Sequence, residues 1–154
     1  MAEPIIEQIA AKIAAKLATI TVAAGYQQTV AGVVRPSRYA SPVTMQNNLV
    51  ILSQLDPAEI SGPLMFKTWR QPFAADLCLR PSDASSTALD LLANRFRADV
   101  EKVFMSNRTW DGLAINSSVG APKNWLNEDS GFEGLTVMLN VDYRTRELDP
   151  YTQT

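Results

Sequence analysis

Leu135-Thr136-Val137-Met138-Leu139-Asn140-Val141-Asp142-Tyr143-Arg144 decides the fold class. Leu135, Val137, Leu139, Val141 and Tyr143 alternate with Thr136, Met138, Asn140, Asp142 and Arg144. A period of two is that of a β-strand with one face on a core and one face toward water. A sheet made of such strands needs something apolar on its dry face. Amphipathic helices and partner strands elsewhere in the chain would supply it.

Upstream, Ala121 to Gly131 is expected to be a polar loop holding Trp125, and Leu113 to Val119 a short strand. Before these, Leu89, Leu92, Phe96, Val100, Val103 and Phe104 keep helical spacing to about Ser106. Arg97 and Glu101 stand four apart on the opposite side. Thr87 with Asp90 resembles a capping box, and Ser82, Asp83 and Ser86 are alternative caps.

Pro81 ends an extended region that opens at Pro63. Within it Met65 to Arg70 and Phe73 to Arg80 both read as strand. Phe73, Ala75, Leu77 and Leu79 alternate with Ala74, Asp76, Cys78 and Arg80. Pro72 has no N–H to donate, so it predicts a bulge, a bend or an edge position. Leu49 to Leu55 is a strand rich in Val, Ile and Leu, broken by Asp56-Pro57, and Gln27 to Val34 is another.

The chain opens with a helix. Ile5, Ile6, Ile9, Ile13 and Leu17 form one apolar stripe, and Pro4 suits the first helical turn. Glu3 and Glu7 lie early and Lys12 and Lys16 late, which complements the helix dipole. The expected order is α-β-β-β-α-β-β. That is one α+β domain over 1–154, with a mainly antiparallel sheet and two main helices packed on it. A short polar tail follows from about residue 147.

Composition narrows the function classes. At 154 residues the chain suits a single domain that needs no disulfide or metal to fold. It contains no histidine, which removes the Ser–His–Asp triad, the Cys–His pair and His-ligated zinc. A single cysteine, Cys78, excludes an intrachain disulfide and a cysteine-cluster metal site. Fourteen basic against sixteen acidic side chains argue against a general nucleic-acid binder. The acidic, proline-bearing start is a poor signal peptide, and Leu17 to Gly25 is too short to span a bilayer.

Motifs add little chemistry. Dinucleotide-binding, P-loop and nucleophile-elbow patterns are absent. Gly131-Phe132-Glu133-Gly134 has the spacing of an RNA-clamping loop but carries Glu133 where that loop needs positive charge; it reads as a turn into the last strand. Asn127-Glu128-Asp129 fits no complete calcium loop. Cys78 has no histidine to act as its base and reads as a structural thiol. No cofactor, metal ligand set or catalytic residue is indicated. Aromatic and arginine side chains near strand ends and termini are the usual anchors of protein interfaces. On that ground Trp69, Arg70, Arg80, Arg144 and Tyr151 are the candidate protein-interface residues.

Four stretches carry a family resemblance: the opening helix Ile5–Leu17, the strand Trp69–Arg80, the helix ending Ala98-Asp99-Val100-Glu101-Lys102-Val103, and the terminal Val141-Asp142-Tyr143-Arg144-Thr145-Arg146-Glu147-Leu148-Asp149-Pro150-Tyr151. Together they resemble small tail-terminator-like or tail-completion proteins of long-tailed bacteriophages. The resemblance implies a non-enzymatic virion protein, made in the host cytoplasm and placed at the tail or neck. It implies a homo-oligomeric ring, usually a hexamer, seated on the last ring of the tail tube protein and presenting a surface to a neck or head-completion protein. DNA only passes through its lumen, and no membrane is involved. A head–tail joining neck protein of the same fold would look much the same in sequence. A small histidine-independent enzyme and a binding module are the competing classes.

Overall fold

The last strand runs further than its alternation predicts. The computed structural model describes residues 2–36, 46–80, 88–129 and 131–152. It extends this strand over Phe132–Arg146 (β7) and sets it antiparallel to Phe66–Leu79 (β4). The two stay in one-to-one register from Phe66 opposite Arg146 to Leu79 opposite Glu133. They are the spine of a seven-stranded sheet.

On the β4 side lie Leu49–Gln54 (β2), Ala58–Ile60 (β3) and, outside β2, Gly32–Val34 (β1). On the β7 side lie Asn116–Val119 (β5) and Lys123–Asn127 (β6). Every pairing is antiparallel except β1 with β2. The helices are Ile5–Leu17 (α1) and Leu89–Met105 (α2), both as the apolar spacing predicts. The fold is the expected single-domain α+β arrangement, mostly strand. Candidate caps of α2 at 82–87 lie outside the described residues.

Three expectations need correction. The stretch expected as a polar loop, Ala121 to Gly131, contains β6. Its sequence lacks an apolar alternation because Lys123, Asn124 and Leu126 are all exposed, while Trp125 packs against Gly134. The expected strand Gln27–Val34 shrinks to Gly32–Val34, because the N–H groups of Gln27 and Gln28 go to Asp99 and that of Val30 to the Ile20 carbonyl. Finally, β3 was not expected. It is a three-residue edge piece, too short to show a period.

Pro72 sits inside an unbroken β4. Its carbonyl accepts from Leu55 N–H at 3.0 Å, so its missing donor faces the same side, at the gap between β2 and β3. Gln54 faces Phe73 and Ala58 faces Arg70, so three residues, Leu55 to Pro57, stand opposite two, Gln71 and Pro72. The extra residue of a bulge thus lies in the neighbouring strand segment, and Pro72 occupies a local edge.

Alternation sorts the sheet into two faces. Phe73, Ala75, Leu77 and Leu79 of β4 and Leu135, Val137, Leu139 and Val141 of β7 form the dry face. Ile9, Ile13 and Leu17 of α1 and Phe96, Val100, Val103 and Phe104 of α2 cover it. Trp110 closes one side of this core, stacked obliquely on Phe104 at 5.2 Å, with its indole N–H donated to Ser117 Oγ. The other face carries Arg70, Pro72, Ala74, Asp76 and Cys78 opposite Asp142, Asn140, Met138, Thr136 and Gly134.

Candidate interaction surfaces

The five sequence candidates do not form one cluster. Arg70 and Arg144 lie on the helix-free face near the Phe66 end of the spine. Arg70 stands opposite Asp142 and binds both of its carboxylate oxygens, at 2.7 and 2.8 Å, which raises the arginine pKa further. The Arg144 guanidinium lies over the Phe66 ring at 5.6 Å, and its Nε is buried without a partner. Arg80 is at the far end of β4, roughly 30 Å away at the ordinary rise of a strand. Its guanidinium covers the Phe132 ring at 4.7 Å, and its N–H donates to Asn47 Oδ1 at 3.0 Å. Trp69 points the other way, onto the helix-covered core. Tyr151 is exposed in the tail beyond β7.

The Phe66 end also carries an apolar tip that the sequence reading passed over. Leu64 and Leu148 are 93% and 95% exposed, and Met65 is 77% exposed. The Glu147 N–H donates to the Met65 carbonyl at 3.0 Å, which ties the two loops together. The tail then folds back, with Arg146 N–H donating to the Thr152 carbonyl and Ile5 N–H to the Pro150 carbonyl. Asp149 accepts from Tyr151 N–H and Thr152 Oγ1, contacts that hold its pKa below the usual aspartate range. Met65, Phe66, Arg146, Glu147, Leu148 and Asp149 line a cleft of about 480 Å³ between these loops. Large apolar side chains left this exposed in one place make the tip a candidate contact surface. The signal in the sequence was two apolar residues, Leu64-Met65, directly after Gly62-Pro63.

The lateral edges form the third surface. Among the described residues, β1 pairs only with β2, β3 only with β4, and β5 and β6 only with β7, so each leaves one edge open. Trp125 of β6 lies across Gly134, where an added Cβ would stand 2.8 Å from the indole and 1.7 Å from the Leu77 carbonyl oxygen. The spacing of Gly131 and Gly134 therefore serves packing: Gly131 turns the chain with φ of +68°, and Gly134 admits the indole.

Chemistry within the fold is sparse. Cys78 is buried, and burial with the nearby Asp76 charge pushes its thiol up to about 11, so a thiolate is disfavoured at neutral pH. Burial raises Asp76 above the ordinary aspartate value, although Thr136 Oγ1 donates to its carboxylate. Among the described residues no group of three His, Cys, Asp or Glu side chains comes together to hold a metal ion. Among the same residues no helix is long and apolar enough to cross a membrane. No protein-family model and no curated protein matches this chain.

Proposed function

We propose that this protein is a structural subunit of a long-tailed bacteriophage virion. Copies form a ring, hexameric by the family resemblance, that caps the tail tube, ends its polymerisation and joins it to the neck. The observation that carries this reading is the set of open, unlike strand edges on opposite sides of one subunit among the described residues, β1 and β3 on the β4 side and β5 and β6 on the β7 side. A ring closes through contacts between unlike surfaces, each copy offering a different side to each neighbour. The apolar tip around Leu64, Met65 and Leu148 is left for a partner along the ring axis, the tube or the neck. The arginines Arg70, Arg80 and Arg144, with Trp69 and Tyr151, remain the proposed contributors to subunit or tube contacts.

The reading is tested by negative-stain microscopy of lysates in which this gene carries a nonsense mutation. Overlong tails without heads are the expected result. Tails of normal length beside full heads would replace the terminator role with that of a neck-joining protein. Unchanged, infectious particles would overturn the structural role altogether.

A further inference from the structure

Of the open edges, β1 and β6 lie at one height on the sheet and run in opposite directions. Across the sheet, Gly32, Leu49, Cys78, Gly134 and Trp125 stand in one row. Val34, Ile51, Asp76, Thr136 and Lys123 stand in another. Strand β1 is parallel to β2, and β2 and β7 are both antiparallel to β4, so β1 and β7 run the same way. Strand β6 is antiparallel to β7 and therefore also to β1.

From this we infer that neighbouring copies join by antiparallel pairing of β6 with the next copy's β1, making one sheet continuous around the ring. The inference rests on the ring reading above and adds the contact that closes it. In a ring whose strands run along the axis, every copy keeps the same orientation. The edge β6 of one copy then meets β1 of the next at the same height and in the antiparallel sense. Unstaggered, this sets Trp125 beside Gly32, Asn124 beside Val33, and Lys123 beside Val34 of the neighbour.

The side chains suit that register. Trp125 and Gly32 belong to the same face, so the indole would lie between two glycines, its own Gly134 and the neighbour's Gly32. An aromatic laid across a glycine covers backbone that the glycine leaves bare. Among the described residues nothing requires glycine at 32: an added Cβ there would meet Leu49 Cδ1, at 3.7 Å, and no positive φ is involved. The Trp125 Nε1, meanwhile, is buried with no partner inside the subunit. Pro122 before β6 and Pro36 after β1 confine the pairing to a short stretch, which limits runaway edge association.

Disulfide trapping tests the contact in the intact chain. In a Cys78→Ala background, Lys123→Cys is combined with Val34→Cys; directly opposed cross-strand positions are within disulfide reach. Mild oxidation should give a ladder of covalent multimers ending at a closed ring. Asn116→Cys with Val34→Cys, placed at different heights, should give little or none. Gly32→Leu should abolish ring formation while the monomer's melting temperature stays unchanged. Rings that form by light scattering and microscopy but do not cross-link, or that tolerate Gly32→Leu, would overturn the edge pairing and leave the ring standing. A ladder of open filaments without closure would keep the pairing and overturn the closed ring. No cross-link and no species larger than a monomer would overturn both.

Discussion

Asp99 on α2 accepts the backbone N–H of Gln27 with both carboxylate oxygens, at 3.1 and 2.9 Å. The Gln28 N–H adds a third bond, at 3.0 Å. Asp99 is buried at 3% exposure, and Gln28 Nε2 donates to the Leu92 carbonyl on the same helix. The chain leaving α1 is thereby clamped to α2 across 72 positions of sequence. Asp99→Asn should cost about 1–3 kcal/mol, because the amide turns an NH₂ toward backbone donors and leaves one unsatisfied. Urea unfolding midpoints measure it. Equal stability of the two proteins would mean that water satisfies those N–H groups.

This clamp also shows where the sequence stops being legible. The alternation of Leu135 to Tyr143 and the stripe from Ile5 to Leu17 are local periods, and each places its element correctly. Asp99 carries no such signal, since an aspartate on a helix is ordinarily solvated and its partners lie far away in the chain. Trp125 was legible as an aromatic in polar surroundings but not as a strand residue, because its neighbours Lys123, Asn124 and Leu126 are exposed on both faces and leave no apolar period around it. Trp69 and Arg70 are adjacent in sequence and face opposite sides of the sheet, so residue type alone does not tell which face a candidate occupies. The equal height of β1 and β6 is a property of the whole register and appears in no single segment.

Gly134 is the position least able to accept a side chain. A Cβ there would stand 1.7 Å from the Leu77 carbonyl oxygen and 2.8 Å from the Trp125 ring. The first of these is backbone in the central strand pair and has no rotamer to yield. Gly134→Ala should therefore destabilise the fold by about 3 kcal/mol or more, the upper range for overpacking. Gly25→Ala is a useful contrast: its cost comes from a φ of +87° alone, since no atom lies within 4 Å of the added Cβ. About 1 kcal/mol is expected there. Thermal melts of the two variants should rank them in that order.

Asp76 makes the fold sensitive to mild acid in an unusual direction. Burial raises its pKa above the ordinary 3.8, so the folded state holds this proton more tightly than the unfolded chain. Its ionisation thus weighs against folding above that range, and the penalty fades as pH falls from neutral toward 3.8. Glu7 and Asp111 act oppositely: hydrogen bonds from Arg35 and Lys12 lower their pKa values, and that stability is lost in acid. Asp76→Asn removes the first effect and keeps an acceptor for Thr136. The variant should be more stable than the parent at neutral pH, and the gap should close toward pH 4. Urea midpoints across this pH range check it. A gap that widens in acid would place the Asp76 shift in the opposite direction.

Charge reversal at the two ends of the spine separates assembly from folding. The Arg80 and Arg144 guanidiniums lie over Phe132 and Phe66 respectively. An exposed cation–aromatic contact is worth about 0.5–1 kcal/mol, so Arg80→Glu should leave a folded monomer with a nearly unchanged melting temperature. Arg144 is half-buried, and its reversal should lower the melting temperature somewhat further, since a carboxylate is more costly there than an aliphatic stem. On the ring reading both variants should assemble less completely than the parent in concentration-dependent light scattering. Loss confined to Arg144→Glu would assign the contact to the end that also bears Leu64, Met65 and Leu148. Loss confined to Arg80→Glu would assign it to the opposite end, beside the β6 edge. Normal assembly of both would remove the arginines from the interface and leave the strand edges to carry it.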